Sequence, residues 1–275
     1  MKRILSIFFI VLGCISVCAC GAKTQADTLL SPPEESGSVS ICPSISGGAF
    51  PPQTEEDDSP TSQPQENRAV YAVSNVNGLI VRSGASVSAK KLGVLDKEDA
   101  VLLLGKENGF YKTVYKEQTA YVFADYCTQM AIPCANEEIE RVIAVGASLL
   151  GYPYVWGSPR YHWGNGVLNT EFAQGKFDCS ALTQYAFYHG NRTLLSLTTR
   201  TQVTQGKAIA RGEIARGDLL FFTNAARKNN VGVERIGHVA IYLGNNYILH
   251  TASDHAVIEP ISKARWKNYE CARRI

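Results

Sequence analysis

The hydrophobic period of this chain changes near Ile132, and that change limits the folds that the chain can adopt. Before it, over residues 68–131, short alternating runs are separated by turn dipeptides rich in Asn, Ser and Gly. Several short strands at this spacing predict a small all-β barrel. After it, over residues 132–275, helical periods precede a set of strands, which predicts an α+β domain.

Two helices and a meander are predicted in this second part. An apolar stripe at helical spacing predicts a helix from Glu137 to Leu150, closed by Gly151. A second helix is predicted to begin at Cys179, with Asp178 as its N-cap, and to end at Gly190. The strands predicted to follow are Asp218 to Phe222, His238 to Leu243, Tyr247 to Thr251 and Ala256 to Ile258.

The first residues predict export. Two basic residues precede an apolar run from Ile4 to Val17 that carries no charge. This run is short for a membrane span and is typical of a secretory signal, here residues 1–20. It ends in Cys18-Ala19-Cys20, which resembles a bacterial lipoprotein cleavage site. The resemblance implies a lipid on Cys20 and an anchor on the outer face of a membrane. A plain signal that is cut elsewhere is the alternative, and it also exports the protein.

Residues 21–67 are predicted to be a disordered linker. They are rich in Pro and Ser and hold eight acids against one lysine. Such a composition cannot bury enough apolar surface to fold. Residues 68–275 carry 24 Lys and Arg against 17 Asp and Glu, a mildly basic excess that suits a polyanionic cell wall. No basic run alternates with aromatic residues, so nucleic acid is not expected as a partner.

Five cysteines follow the signal region. Cys127 and Cys134 flank the change of period and could pair in an oxidising compartment. The sequence has no Cys-x-x-Cys pair and no Cys/His cluster with zinc spacing. A structural metal is therefore not expected.

Cys179 is the candidate nucleophile. In the first turn of its helix, unpaired backbone N–H groups and the positive end of the helix dipole favour a thiolate. The same N–H groups can stabilise an oxyanion, which is typically worth about 3–4 kcal/mol per donor. The alternative is a buried cysteine that packs as a small apolar side chain.

Two histidines can serve this cysteine. His238 begins one predicted strand and His250 ends the next, with Gly244-Asn245-Asn246 as a turn between them. If all three turn residues form the loop, Ala240 pairs with His250. The histidines then lie on one face, about 7–8 Å apart at the backbone, and His250 can orient His238. A two-residue loop is expected to put them on opposite faces.

Short motifs in the first part resemble a bacterial SH3-like domain. The matching segments are Gly78 to Ala85, Gly109 to Val114, Ala120-Tyr121-Val122 and Asp125-Tyr126. Such domains commonly accompany wall hydrolases, so the resemblance implies a domain that binds wall or lines one side of a catalytic cleft. Phe110, Tyr111 and Tyr121 would then form an aromatic peptide-binding face, or they are barrel core.

The motifs of the second part resemble the NlpC-type cysteine peptidases over residues 137–275. The blocks occur in the order PYVWG, FDCSAL, RGDLLFF, IGHVAIYLG and ILHTA. The resemblance implies a papain-like α+β fold and hydrolysis of peptidoglycan stem peptides or muropeptides. The usual bond joins D-glutamate, through its γ-carboxyl, to a diamino acid. The resemblance therefore implies a reaction that needs no cofactor and no metal.

The resemblance also implies roles for individual residues. It makes Cys179 the nucleophile, His238 the general base and His250 the orienting residue. The residues expected to line the site or contact substrate are Tyr154, Asp178 and Ser180. Asp178 would bind a free stem-peptide amine, or it is only a helix cap.

Some features depart from the family pattern or fall outside its motifs. Trp156 and Trp266 are predicted to be core. The insertion from Ser158 to Lys176 is longer than the usual connection, and it forms a lip on the cleft or a surface loop. Two other kinds of protein stay open: an amidase or acyl transferase with the same centre, and a non-catalytic wall-binding lipoprotein.

Overall fold

Fourteen β-strands and four α-helices make up the described part of the chain in this computed structural model, residues 67–252 and 254–275. An all-β part precedes a part that mixes helices with a six-stranded sheet, so the predicted α+β fold class is confirmed. The predicted signal, Cys20 and all but the last residue of the predicted linker lie outside the described residues.

The first part is a barrel built from two sheets, with strand orders β4-β1-β8 and β3-β2-β7-β6-β5. Its strands are β1 (Arg68–Ser74), β2 (Leu79–Arg82), β3 (Lys91–Leu95), β4 (Ala100–Leu102), β5 (Gly105–Glu107), β6 (Phe110–Tyr115), β7 (Gln118–Phe123) and β8 (Cys127–Pro133). Phe110 and Tyr111 are buried in the barrel, whereas Tyr121 is half-buried and its hydroxyl donates to Glu107 at 3.1 Å. Two of the three candidate binding aromatics are therefore barrel core.

Cys127 and Cys134 do not form a disulfide, which settles the pairing that the sequence left open. β8 begins at Cys127 and ends at Pro133, which places the two cysteines at opposite ends of one extended strand. At about 3.3 Å per residue their Cα atoms lie about 23 Å apart. A disulfide needs Cα atoms about 4.4–6.8 Å apart.

The second part arranges its strands in the order β13-β12-β11-β10-β14-β9. The helices are α1 (Glu137–Ser148), α2 (Cys179–Asn191), α3 (Thr199–Gln202) and α4 (Lys263–Lys267), and the strands are β9 (Lys207–Ile209), β10 (Leu219–Phe222), β11 (His238–Gly244), β12 (Tyr247–Ala252), β13 (His255–Pro260) and β14 (Tyr269–Arg274). The predicted meander from β10 to β13 is confirmed. β9 and β14 were not predicted; β14 is mostly polar, and only Ala272 within it is buried.

The two long helices begin at the predicted residues, Glu137 and Cys179. Asn136 accepts from the N–H of Ile139 at 2.9 Å, and α1 starts at the next residue, Glu137. α2 does not end at Gly190 as predicted, because Arg192 adopts the left-handed conformation instead, with φ 63°. A Cβ on Gly190 would lie 2.5 Å from the Cα of Val142, so this glycine lets α2 approach α1 closely.

A buried ion pair joins the barrel to the second part. Arg216 Nε and Nη2 donate to the two carboxylate oxygens of Glu140 on α1, each at 2.7 Å. The same guanidinium donates to the Leu243 carbonyl at 2.7 Å and to the Tyr71 hydroxyl at 3.0 Å. One side chain therefore connects β1, α1 and the β11–β12 hairpin.

A turn of the barrel also contacts the end of α1. The N–H groups of Lys116 and Glu117, in the β6–β7 turn, donate to the carbonyls of Leu150 and Ser148 at 3.0 and 2.8 Å. The Glu117 carboxylate accepts from the Tyr152 hydroxyl at 2.8 Å. These contacts fix the barrel against the helical side of the second part.

Candidate active site

Cys179 is the first residue of α2, and two backbone N–H groups donate to its sulfur. One belongs to Ser180 in the same helical turn, and the other belongs to Val239, the second residue of β11. Asp178 caps the helix, because its Oδ1 accepts from the N–H of Ala181 at 2.9 Å. The sulfur therefore lies where the start of α2 meets the strand that carries His238.

Burial decides the charge of the sulfur. Burial, and then the charge of Asp178, raise the pKa of the Cys179 thiol to about 12. The Val239 N–H, the Arg160 guanidinium and the Ser180 N–H lower the pKa, but by less. The residue is only 7% exposed. The resting site therefore holds a neutral thiol at neutral pH, and the expectation of a resting thiolate is wrong because this helix start is shielded from water.

His238 and His250 lie on the same face of the sheet. Ile241 pairs with Leu249 in the β11–β12 ladder, so continuing the register places Ala240 opposite His250, as predicted. The histidines are then diagonal neighbours. His238 Nε2 lies 2.8 Å from His250 Nδ1, and the ring centroids are 5.0 Å apart.

The turn between the histidines differs from the predicted three-residue loop. Gly244 pairs with Tyr247, which leaves a two-residue loop, Asn245 and Asn246. Both have positive φ, 48° and 64°, as a type I′ turn requires. The histidines nevertheless share a face, because a bulge at Leu243 shifts the register back by one residue.

Glu259 and Arg265 extend the hydrogen-bonded chain beyond His250. His250 Nε2 and Arg265 Nη2 each lie 2.9 Å from Glu259 Oε1. Glu259 lies two residues beyond Val257, which pairs with His250, so it faces the same side of the sheet. Glu259 was not among the predicted site residues, because the predicted strand stopped at Ile258. Continuing the alternation one residue further would have placed it beside His250.

The pKa values of both imidazoles and of the carboxylate in this hydrogen-bonded series are all lowered, for different reasons. Burial, followed by the charges of His250 and Arg265, lowers the pKa of His238 well below its usual value. Burial also lowers the pKa of His250, although the hydrogen bond to Glu259 opposes it. Burial tends to raise the pKa of Glu259, but hydrogen bonding and charge from His250 and Arg265 outweigh it and lower the pKa. At neutral pH the rings are therefore neutral and Glu259 is an anion.

Both oxygens of Asp178 are engaged by the protein. Besides capping the helix, Oδ1 accepts from the Ser180 hydroxyl at 3.1 Å. Oδ2 accepts from Arg160 at 2.9 Å and from the Gly157 N–H at 3.2 Å. Arg160 also donates to Ser180 Oγ at 3.0 Å. Asp178 is thus the helix cap that the sequence allowed, and substrate binding by Asp178 and Ser180 stays a prediction.

An open cleft of about 500 Å³ lies beside His238. Its lining residues all lie between positions 154 and 268, so the barrel does not contribute to it. Tyr154 lines one side, and burial, followed by the charges of Cys179 and Asp178, raises the pKa of its hydroxyl, so the ring lies near the thiol.

The two tryptophans predicted to be core differ in the structure. Trp156 is 85% exposed, because the chain turns between Val155 and Ser158 and carries the indole outward. The prediction is wrong for Trp156. Trp266 is half-buried and packs against the smaller hydrophobic core of the sheet.

The insertion from residue 158 to residue 176 packs onto α2. Tyr161 lies edge-on to Phe172 and to Tyr185, with centroids 5.2 and 5.5 Å apart. His162 is fully buried, and it pairs with Leu168 in an isolated antiparallel β-bridge within the insertion. The insertion is therefore an anchored loop, and Arg160 at its start contacts the cap of α2.

Two negative findings concern the described residues alone. Between residues 67 and 275, with residue 253 excepted, no group of three or more His, Cys, Asp or Glu side chains suits a metal ion. In the same part of the chain, no helix combines the length and apolar character needed to cross a membrane.

Comparison with known proteins finds two family matches. A model described as the NlpC/P60 family matches residues 151–274, and one for the bacterial SH3 domain matches residues 77–128. Peptidoglycan DL-endopeptidase CwlO of Bacillus licheniformis is 33% identical over 145 residues, 52% of this chain and 29% of the relative. The gamma-D-glutamyl-L-lysine dipeptidyl-peptidase of Bacillus subtilis is 30% identical over 159 residues, 57% of this chain and 46% of the relative.

The chain spans less than half the length of these two curated relatives. Among solved structures, an NlpC/P60 family protein from Bacillus cereus is 23% identical. That match covers 75% of this chain and 63% of the other chain, with a TM-score of 0.39.

Proposed function

Because residues 151–274 form an NlpC/P60 domain and residues 77–128 a bacterial SH3 domain, we propose that this chain is an exported cysteine peptidase that cleaves peptidoglycan stem peptides. One observation carries the proposal: the Cys179 sulfur accepts from the N–H of Val239, next to His238, and His238 is hydrogen-bonded to His250 at 2.8 Å. These contacts support the proposed roles of nucleophile, base and orienting group in acyl transfer.

The bond cleaved is proposed to join the γ-carboxyl of D-glutamate to a diamino acid. Support comes from the relatives, since one is named a DL-endopeptidase of peptidoglycan and another a γ-D-glutamyl-L-lysine dipeptidyl-peptidase. The open, mostly polar cleft beside His238 suits an extended peptide that carries several charged groups.

In the first step the Cys179 sulfur attacks the carbonyl carbon of the scissile amide while its proton passes to His238. Nε2 of His238 is held by His250, so Nδ1 takes the proton. The tetrahedral intermediate carries a negative oxygen, and the N–H groups at the start of α2 stabilise it. A sulfur that is neutral at rest gains its charge only as the proton leaves.

In the second step the carbon–nitrogen bond breaks and His238 gives its proton to the leaving amine. The acyl group stays on Cys179 as a thioester. His238 then takes a proton from water, whose oxygen attacks the thioester carbon. The acid product leaves, and the thiol recovers its proton from His238.

Digestion of purified peptidoglycan tests this proposal. Walls of the diaminopimelate and the lysine type are treated with the protein and with the Cys179→Ala variant, and new termini are identified by mass spectrometry. We expect a new free carboxyl on D-glutamate and a new amine on the diamino acid, and neither with the variant.

Other products would contradict the proposal. Cleavage between the sugar lactate and the peptide would indicate an amidase, and transfer to an added amine would indicate an acyl transferase. Binding to the wall with no new termini would indicate a non-catalytic protein. The thermal unfolding of Cys179→Ala is the control, because a folded variant excludes loss of structure as the cause.

A further inference from the structure

We propose that Glu259 is a positioning residue that fixes the tautomers of both histidines and so keeps bare the His238 nitrogen that takes the thiol proton. The inference rests on the proposed peptidase function for its role in catalysis, although the tautomers themselves can be observed without activity. It begins from three hydrogen bonds in series, from Arg265 through Glu259 and His250 to His238.

The direction of each hydrogen bond follows from its neighbour. An ionised carboxylate can only accept, so the 2.9 Å contact requires the hydrogen on His250 Nε2. A neutral imidazole has one N–H, which leaves His250 Nδ1 as an acceptor. The 2.8 Å contact must then be a donation from His238 Nε2. His238 Nδ1 is therefore bare and can act as a base.

Without the carboxylate this order is lost. His250 could then carry its hydrogen on Nδ1 and donate to His238 Nε2, which would place the His238 hydrogen on Nδ1. An Nδ1 that already carries a hydrogen cannot accept the thiol proton. In serine peptidases the wrong histidine tautomer lowers kcat by about 10⁴.

The negative charge of Glu259 also favours transfer of the thiol proton to His238. When His238 becomes an imidazolium, the anion beyond His250 stabilises the new positive charge. The other charged or titratable groups that act on the two rings are Arg265 on α4 and His255 on β13, and both oppose protonation. The ring of Phe222 on β10, 6.1 Å from that of His238, is apolar.

Two variants separate these contributions. Glu259→Gln keeps the side-chain size and an oxygen that can accept from His250, but removes the charge. Glu259→Ala removes both. Glu213→Gln is the control, because it removes a charge from an exposed acid outside the cleft.

The decisive measurement is the ¹⁵N NMR spectrum of the imidazoles, which distinguishes protonated from bare ring nitrogens. In the wild type we expect both His238 and His250 to have a bare Nδ1 and a protonated Nε2. Glu259→Ala should give a mixture of tautomers, and Glu213→Gln should leave the spectrum unchanged. A Glu259→Ala spectrum identical to that of the wild type would overturn the inference. If that variant does not fold, the wild-type spectrum decides, because any other arrangement of hydrogens contradicts the proposed series.

Kinetics test the catalytic consequence. We expect Glu259→Gln to lower kcat about 10- to 100-fold with KM changed less than twofold, and to move the acidic limb of the pH profile to lower pH. The sign follows because removing a negative charge makes the His238 imidazolium less stable. If kcat and the acidic limb of the pH profile are both unchanged in Glu259→Gln, a positioning role for Glu259 is refuted. If the wild type cleaves no peptidoglycan while the NMR spectra behave as expected, the proposed function fails and the tautomer inference stands.

Discussion

Removing one partner of the buried ion pair between Arg216 and Glu140 should strongly destabilise the described part of the chain, and Glu140→Gln tests this. The Arg216 and Glu140 side chains are only 6% and 4% exposed. Gln keeps the size of the side chain and an oxygen that can accept from the N–H of Ala135, now at 2.8 Å. The variant therefore isolates the loss of charge, which leaves the guanidinium buried without its counterion.

The expected cost follows from this burial. Removing one partner of a buried pair costs about 3–5 kcal/mol in the free energy of unfolding. For a chain of this size, each kcal/mol lowers Tm by about 2–4 °C, so Tm should fall by about 6–20 °C. The assay is urea or thermal unfolding followed by circular dichroism.

The same helix offers a matched control. Glu137, three residues earlier, pairs with Arg141 at the same 2.7 Å, but the two side chains are 87% and 48% exposed. Glu137→Gln should therefore cost less than about 1 kcal/mol. The double variant Glu140→Met with Arg216→Met should recover most of the loss, because it leaves no charge unpaired. Equal destabilisation by Glu140→Gln and Glu137→Gln would refute the reasoning.

Two further outcomes follow from the site and from the first residues. Because burial raises the pKa of Cys179 to about 12, its alkylation should accelerate about tenfold per pH unit from pH 6 to pH 8, since only the thiolate reacts. Mass spectrometry of the peptide that contains this residue measures the rate, with Cys127, whose pKa burial raises to about 11, as the internal comparison. A rate that does not change over this range would show a thiolate at rest. We also propose that Cys20 carries the lipid anchor, so Cys20→Ala should move the protein from the membrane fraction to the medium. Retention of this variant in the membrane fraction would contradict the anchor.

The elements that the sequence predicted correctly are those that local chemistry determines. An apolar stripe marks the start of α1, and Asp178 caps α2 through a hydrogen bond within one turn, so both starts could be located from the sequence. The end of α2 could not, because Gly190 serves a close contact with another helix rather than a helix stop. β14 was missed because its place between β10 and β9 depends on a pairing with distant parts of the chain.

The residues of the site likewise fall into two groups, those that local sequence motifs identify and those that only the tertiary structure brings together. The order of motifs was enough to single out Cys179, His238 and His250, and the structure brings them to one region. Arg160 and Glu259 were missed because their partners are 18 and nine positions away, so only tertiary structure unites them. The resting charge of the sulfur was misjudged for a related reason. The helix start that favours a thiolate can be recognised in sequence, whereas the desolvation that opposes it depends on the packed fold.

The bulge at Leu243 bears on how related hairpins should be aligned or transplanted. Two side chains on neighbouring strands of a hairpin face the same side of the sheet in only one of two registers, which differ by one residue. The number of residues between them, together with any bulge in the ladder, determines which register forms. Turn type alone is a poor guide, since an ordinary tight hairpin with the same spacing would turn His250 away from its partner. Anyone who grafts this ribbon onto a new scaffold must carry the extra residue with it.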